Sequence, residues 1–156
     1  MTYEMDAIIK EKKLQVFLQI ISNYFAQLSG EALKVESPYL SADKQPKVYD
    51  YTGIIRVSGE QKGVVYFSAT QSLLCCILQS LGEIDASEEN LVDIAREVAN
   101  TIAGNARTEF GIDFIIAPPE IVVGAPSAAY LPKDRNSYIT PFSWGGYQVV
   151  IGICIA

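Results

Sequence analysis

Histidine is absent from all 156 residues. Its absence removes Ser-His-Asp and Cys-His nucleophile systems, histidine zinc sites and phosphohistidine chemistry. Acid–base work would fall to carboxylates, Tyr, Lys, Cys or a partner protein. An excess of positive charge is missing too: 12 Lys plus Arg stand against 18 Asp plus Glu, a net charge of −6. An acidic chain with no basic stretch is poorly matched to a phosphate backbone, so no nucleic-acid partner is expected. Cysteine is scarce, with Cys75, Cys76 and Cys154. The adjacent pair lies in the apolar run Ser72–Leu78 and reads as small buried hydrophobes, not as a redox or zinc motif. No apolar run reaches the roughly 20 residues of a membrane span. Met1 to Lys13 alternates acidic and basic residues and lacks the apolar core of a signal peptide. These absences predict a soluble, cytoplasmic protein with reduced thiols, no membrane contact and no metal site of its own.

About half of the residues are hydrophobic (49%) and 19% are charged, a globular balance and not a disordered one. The length fits a single domain, residues 1–156, with a real core. Ile8, Ile9, Leu14, Phe17, Leu18, Ile21, Phe25 and Leu28 recur at three-and-four spacing and predict a helix over Asp6 to Leu28, closed by Ser29-Gly30. Ala32 to Tyr39 reads as a strand with Pro38 near its end, and Ser41 to Lys47 as a loop. Tyr49 to Ser58 and Gly63 to Ser68 predict a hairpin. Thr70 caps a short helix that runs to Leu81. Ser87 opens a second long helix that ends at Phe110-Gly111, with Asn90 standing where a capping-box Glu would be. Asp113 to Val123 reads as a strand interrupted at Pro118-Pro119. Ser137 to Ser143 and Tyr147 to Ile155 form a second hairpin around Trp144-Gly-Gly146.

A shift of 81 residues brings Gly30 onto Gly111, Pro38 onto Pro119, Leu33 onto Phe114 and Val35 onto Ile116. The expected fold is therefore α+β: two similar α-β-β-β halves plus one extra helix, giving an antiparallel-rich sheet with helices packed on one face.

On a helical wheel, Val92, Ala95, Val98, Ala99, Ile102, Ala103, Ala106 and Phe110 form the core side of the Ser87–Phe110 helix. Asp93, Glu97, Asn100, Thr101, Gly104 and Thr108 form the opposite side. Glu97 and Asn100 are three residues apart and Gly104 is four further on, so the three share a stripe. A Glu-x-x-Asn pair taken alone is an ordinary solvated face. Gly104 is harder to account for, because glycine inside a helix costs about 1 kcal/mol relative to alanine. On an outward stripe it makes sense if another molecule must approach closely. Asn100 is also a mediocre helix former at mid-helix. Ser127, in a loop without a base, is no credible nucleophile, and Tyr130, Tyr138, Trp144 and Tyr147 read as packing.

The run Glu97-Val-Ala-Asn100-Thr-Ile-Ala-Gly104-Asn-Ala106 resembles the signature helix of the CheX proteins, in the CheC/CheX/FliY group of bacterial chemotaxis phosphatases. The length, the late helix and the terminal hairpin are similar as well. The resemblance implies hydrolysis of the aspartyl-phosphate of a CheY-like receiver domain in two-component signalling. It implies that Asn100 positions the attacking water and that Glu97 pairs with the receiver's lysine. Asp93, Thr101 and Gly104 would face the partner, and Mg²⁺ would be carried by the phosphorylated partner, with no cofactor bound by this chain. At the 81-residue shift Glu97 falls on Val16 and Asn100 on Gln19, so one site per chain is expected. The alternative is a non-catalytic module of the same fold that docks on a receiver domain or a flagellar-switch component. The last strand is apolar on both faces, and with the resemblance this predicts a homodimer with strands paired between protomers.

Overall fold

The structure is a computed structural model that describes residues 3–29, 34–37, 39–41, 48–59, 62–124 and 137–155. Its elements in chain order are α1 (Tyr3–Ser29), β1 (Lys34–Val35), β2 (Tyr39–Ser41), β3 (Tyr51–Gly59), β4 (Gly63–Ala69), α2 (Gln71–Ser80), α3 (Glu88–Phe110), β5 (Phe114–Ile116), β6 (Glu120–Val123), β7 (Ser137–Trp144) and β8 (Tyr147–Ile155). The expected 41–47 loop falls almost wholly outside the described residues, as do Ser127 and Tyr130.

Local chemistry sets the helix ends. The Thr70 hydroxyl accepts a hydrogen bond from the Leu73 amide at 3.2 Å and starts α2. Ser87 Oγ accepts from the Asn90 amide at 3.3 Å and starts α3. Asn90 does not complete a capping box. Its Nδ2 donates to the Asp85 carbonyl at 2.8 Å, while the Ser87 amide donates to Asp85 Oδ1 at 3.2 Å. The shorter amide side chain therefore ties down the entering loop instead of reaching back to the cap. Glu88 and Glu89 in the first turn suit the positive end of the helix dipole.

All strands pair antiparallel in one sheet of order β1-β7-β8-β4-β3-β5, with β2 beside β1 on β7 and β6 beside β5 on β3. The single strand expected over Ala32–Tyr39 is two short ones, split as β5 and β6 are split. Period-two alternation divides the strand residues between two faces. Tyr51, Ile55, Val57, Val65, Phe67, Phe142, Trp144, Val149 and Ile151 join the helices in the main core. Ile54, Val64, Tyr66, Ile139 and Val150 make a smaller cluster on the other face, with no helix residue in it. The helices thus lie on one face, as expected.

The repeat is real in outline. At the 81-residue shift the end of α1 meets the end of α3, β1 meets β5, and β2 meets β6. The halves are interlocked: the split strand of the first half pairs with β7 of the second, and the split strand of the second pairs with β3 of the first. α1 and α3 consequently pack side by side across the helical face.

Candidate active site

α3 sits close to the sheet because its inner face is small. A Cβ placed on Gly53 of β3 would lie 3.1 Å from the Ala99 Cβ, so glycine and alanine together set this short separation. The buried residues of α3 are Leu91, Ile94, Ala95, Val98, Ala99, Ile102, Ala103 and Ala106. This corrects the wheel: Leu91 and Ile94 belong to the core, and Val92 and Phe110 are half-buried at its margins. Leu91 falls between Val98 and Ile102 on the wheel and Ile94 borders the same arc, so helical periodicity accounts for both.

The outward stripe is where the sequence placed it. Asp93, Glu97, Asn100 and Gly104 are exposed, and Thr101 is half-buried. Two kinds of polar residue share the stripe. Asp93 is paired with Arg96 at 3.1 Å. Thr101 Oγ1 donates to the Glu97 carbonyl at 2.9 Å, Asn105 Nδ2 to the Thr101 carbonyl at 2.9 Å, and Thr108 Oγ1 to the Gly104 carbonyl at 3.1 Å. These side chains are engaged by their own helix. The side chains of Glu97 and Asn100 make no hydrogen bond or ion pair among the described residues, so both can turn fully to an incoming group. At Gly104 an added Cβ would meet nothing within 4 Å. Nothing inside the molecule requires glycine there.

A feature the sequence reading passed over comes from α1. Tyr24 is half-buried beside α3, and its phenol pKa is pushed up to about 12, first by burial and then by the negative charge of Glu97. The signal available in the sequence was the four-residue spacing of Gln15, Gln19, Asn23 and Gln27 along the later, mostly apolar part of α1. These amides line a groove of about 410 Å³ between α1 and α3. Cys75 and Cys76 are half-buried, not fully buried; they border a shallow hollow with Asp50 and Tyr147. Tyr147 and Tyr138 pack at the margin of the main core, and Trp144 is inside it. Among the described residues no three Cys, Asp or Glu side chains gather as a metal-ligand set, and no helix is long and apolar enough to cross a membrane.

This fold of interlocked α-β-β-β halves is shared with solved chemotaxis proteins. A CheC-like superfamily protein from Shewanella sp. PV-4 matches with 27% identity and a TM-score of 0.78, over 92% of this chain and 97% of that one. Chemotaxis protein CheX from Vibrio vulnificus matches with 26% identity and a TM-score of 0.78, over 93% of this chain and 99% of that one. The CheX of a CheX-CheY-BeF3-Mg²⁺ complex from Borrelia burgdorferi has the same fold, at 24% identity and a TM-score of 0.71, over 91% of this chain and 96% of that one. No curated protein sequence matches the chain. The family described as chemotaxis phosphatase CheX matches residues 51–143, and the chain belongs to that family.

Proposed function

We propose that the chain hydrolyses the aspartyl-phosphate of a CheY-like response regulator in the cytoplasm. The observation that carries this reading is the pair Glu97 and Asn100. They stand about 4.5 Å apart along the axis of α3, exposed and unengaged, with the open glycine one turn further on. Phosphoryl transfer asks for positioning and charge stabilisation more than for covalent work by the protein. A carboxamide can hold a water as both donor and acceptor without bringing a charge that repels the phosphoryl group. Asn100 would place that water in line with the bond from phosphorus to the aspartate oxygen. Attack forms the new P–O bond, the aspartate carboxylate leaves, and inorganic phosphate departs. Glu97 would hold the receiver through its active-site lysine, and Mg²⁺ on the receiver would neutralise the developing charge. The Borrelia relative of the same fold, solved with CheY, BeF3 and Mg²⁺, supports the choice of partner.

The second reading, a docking module without turnover, rests on the same exposed face. The test is the decay of a phosphorylated receiver domain with catalytic amounts of the chain. Faster release of inorganic phosphate is the expected result. Binding that leaves the decay rate unchanged would establish the docking module instead.

A further inference from the structure

The groove between α1 and α3 stands beside the reacting pair and is distinct from it. Gln19, Asn23 and Tyr24 line one wall, and Thr101, Asn105 and Thr108 the other, around a space of about 410 Å³. Glu109 is the charged residue among those lining it. The internal repeat gives the groove a meaning. At the 81-residue shift Gln19 takes the place of Asn100 and Asn23 the place of Gly104. Gln19 Nε2 donates to Asn23 Oδ1 at 2.9 Å, so two linked amides cover the position at which α3 is bare. The first helix thus cannot admit a close approach of the kind Gly104 permits. It presents hydrogen-bonding groups instead.

Dimensions connect the groove to the partner. Thr101 is adjacent to Asn100, and Thr108 is about 12 Å further along α3. Packed helices are about 8–10 Å apart. A specific protein contact covers about 800 Å² on each partner, a patch roughly 30 Å across. A receiver seated on the Glu97–Asn100 stripe is therefore wide enough to reach the groove. Among the described residues that line it the groove offers no cation to attract a second phosphate; it offers amides, hydroxyls and a phenol. Tyr24 stiffens one wall, edge-on to Phe25 at 5.5 Å and 84°, with Phe25 in turn against Trp144 at 5.4 Å.

We propose that Gln19 and Asn23 are specificity-determining residues, which read uncharged side chains and backbone of the receiver next to its phosphorylated aspartate. The proposal rests on the phosphatase reading above and divides the labour: chemistry on α3, choice of receiver on α1. Both residues are exposed on a helix, where alanine is the best helix former, so Gln19→Ala/Asn23→Ala should fold. The experiment titrates a panel of beryllofluoride-activated, Mg²⁺-loaded receiver domains against wild type and this double variant, and measures turnover on the phosphorylated forms. The double variant should bind the tightest receiver about tenfold more weakly, as expected for two neutral hydrogen bonds. Its KM should rise, its kcat should stay within twofold, and its preference among receivers should narrow. Unchanged affinities and an unchanged ranking, with wild type active, would overturn the groove proposal alone. A groove effect on binding without hydrolysis by wild type would sink the phosphatase reading and leave the groove standing. Failure of wild type to bind any receiver would remove both.

Discussion

Glu97, Asn100 and Gly104 share one stripe of α3, and helix stability explains neither Asn100 nor Gly104. Gly104 shows this most clearly, because an added Cβ there meets open space. Gly104→Ala should therefore raise stability in chemical denaturation by up to about 1 kcal/mol. Gly104→Gln should also fold, yet lose affinity for the receiver; equal affinities would show that the glycine is no approach site. Glu97→Gln keeps the shape and removes the charge, so it should weaken receiver binding and turnover together. An unchanged rate would remove the lysine-pairing role. Tyr24 carries a pH prediction. Its folded pKa, about 12, lies above the ordinary tyrosine value near 10. The unfolded chain therefore releases this proton first as pH rises, and folding is penalised only above about pH 10. Stability measured between pH 10 and 12 should fall, and Tyr24→Phe should flatten part of that fall while changing nothing at pH 7. These residues were unequally legible. A Glu-x-x-Asn-x-x-x-Gly spacing can be seen in a string of letters. The role of Tyr24 depends on which helix packs beside α3, and no local pattern in α1 states that.

The elements themselves were legible where chemistry is local. Capping by Thr70 and Ser87, the break at Pro118-Pro119 and the Gly145-Gly146 turn are all short-range signals, whereas the split between β1 and β2 was not expected. Gly145 and Gly146 have φ of 56° and 84°, the conformation a two-residue hairpin turn requires. Burial follows the same periodicity: Leu91 falls between Val98 and Ile102 on the wheel and Ile94 borders that arc, so both belong to the core side of α3. Two predictions belong here. Ser87→Ala should cost about 1 kcal/mol of stability through loss of the α3 cap. Ala99→Leu should cost about 1–3 kcal/mol, because it forces bulk into the close contact between α3 and Gly53. That variant should also lower activity by lifting the helix that carries Glu97 and Asn100, and melting and turnover measured on one preparation would show both effects.

The whole molecule shows what the repeat did not reveal from sequence: the halves exchange their split strands. The exchange places β8 between β7 and β4, at the centre of the sheet. The apolar character of β8 on both faces, which had suggested pairing with another protomer, is accounted for inside the chain. Among the described residues the sheet ends at the β1–β2 and β5–β6 edges, and the second of these exposes Ile115 (53%) and Val123 (50%). We propose a homodimer through such an edge and not through β8. Sedimentation equilibrium at micromolar concentration should show twice the 17.1 kDa chain mass; a clean monomer would reject the dimer. At either stoichiometry the interlocked halves keep one Glu-x-x-Asn pair per chain, because α1 carries Val16 and Gln19 where α3 carries Glu97 and Asn100.

All of this rests on Asn100 as the group that places the attacking water. The most direct test compares wild type and Asn100→Ala for release of inorganic phosphate from a phosphorylated receiver at saturating receiver concentration. The account predicts that the acceleration falls by about a hundredfold or more, as for other single preorganised hydrogen-bonding groups. Binding of the beryllofluoride-activated receiver and the melting curve should stay close to wild type, since Asn100 is exposed and makes no side-chain hydrogen bond among the described residues. Full activity in Asn100→Ala would contradict the mechanism, whatever the binding data show.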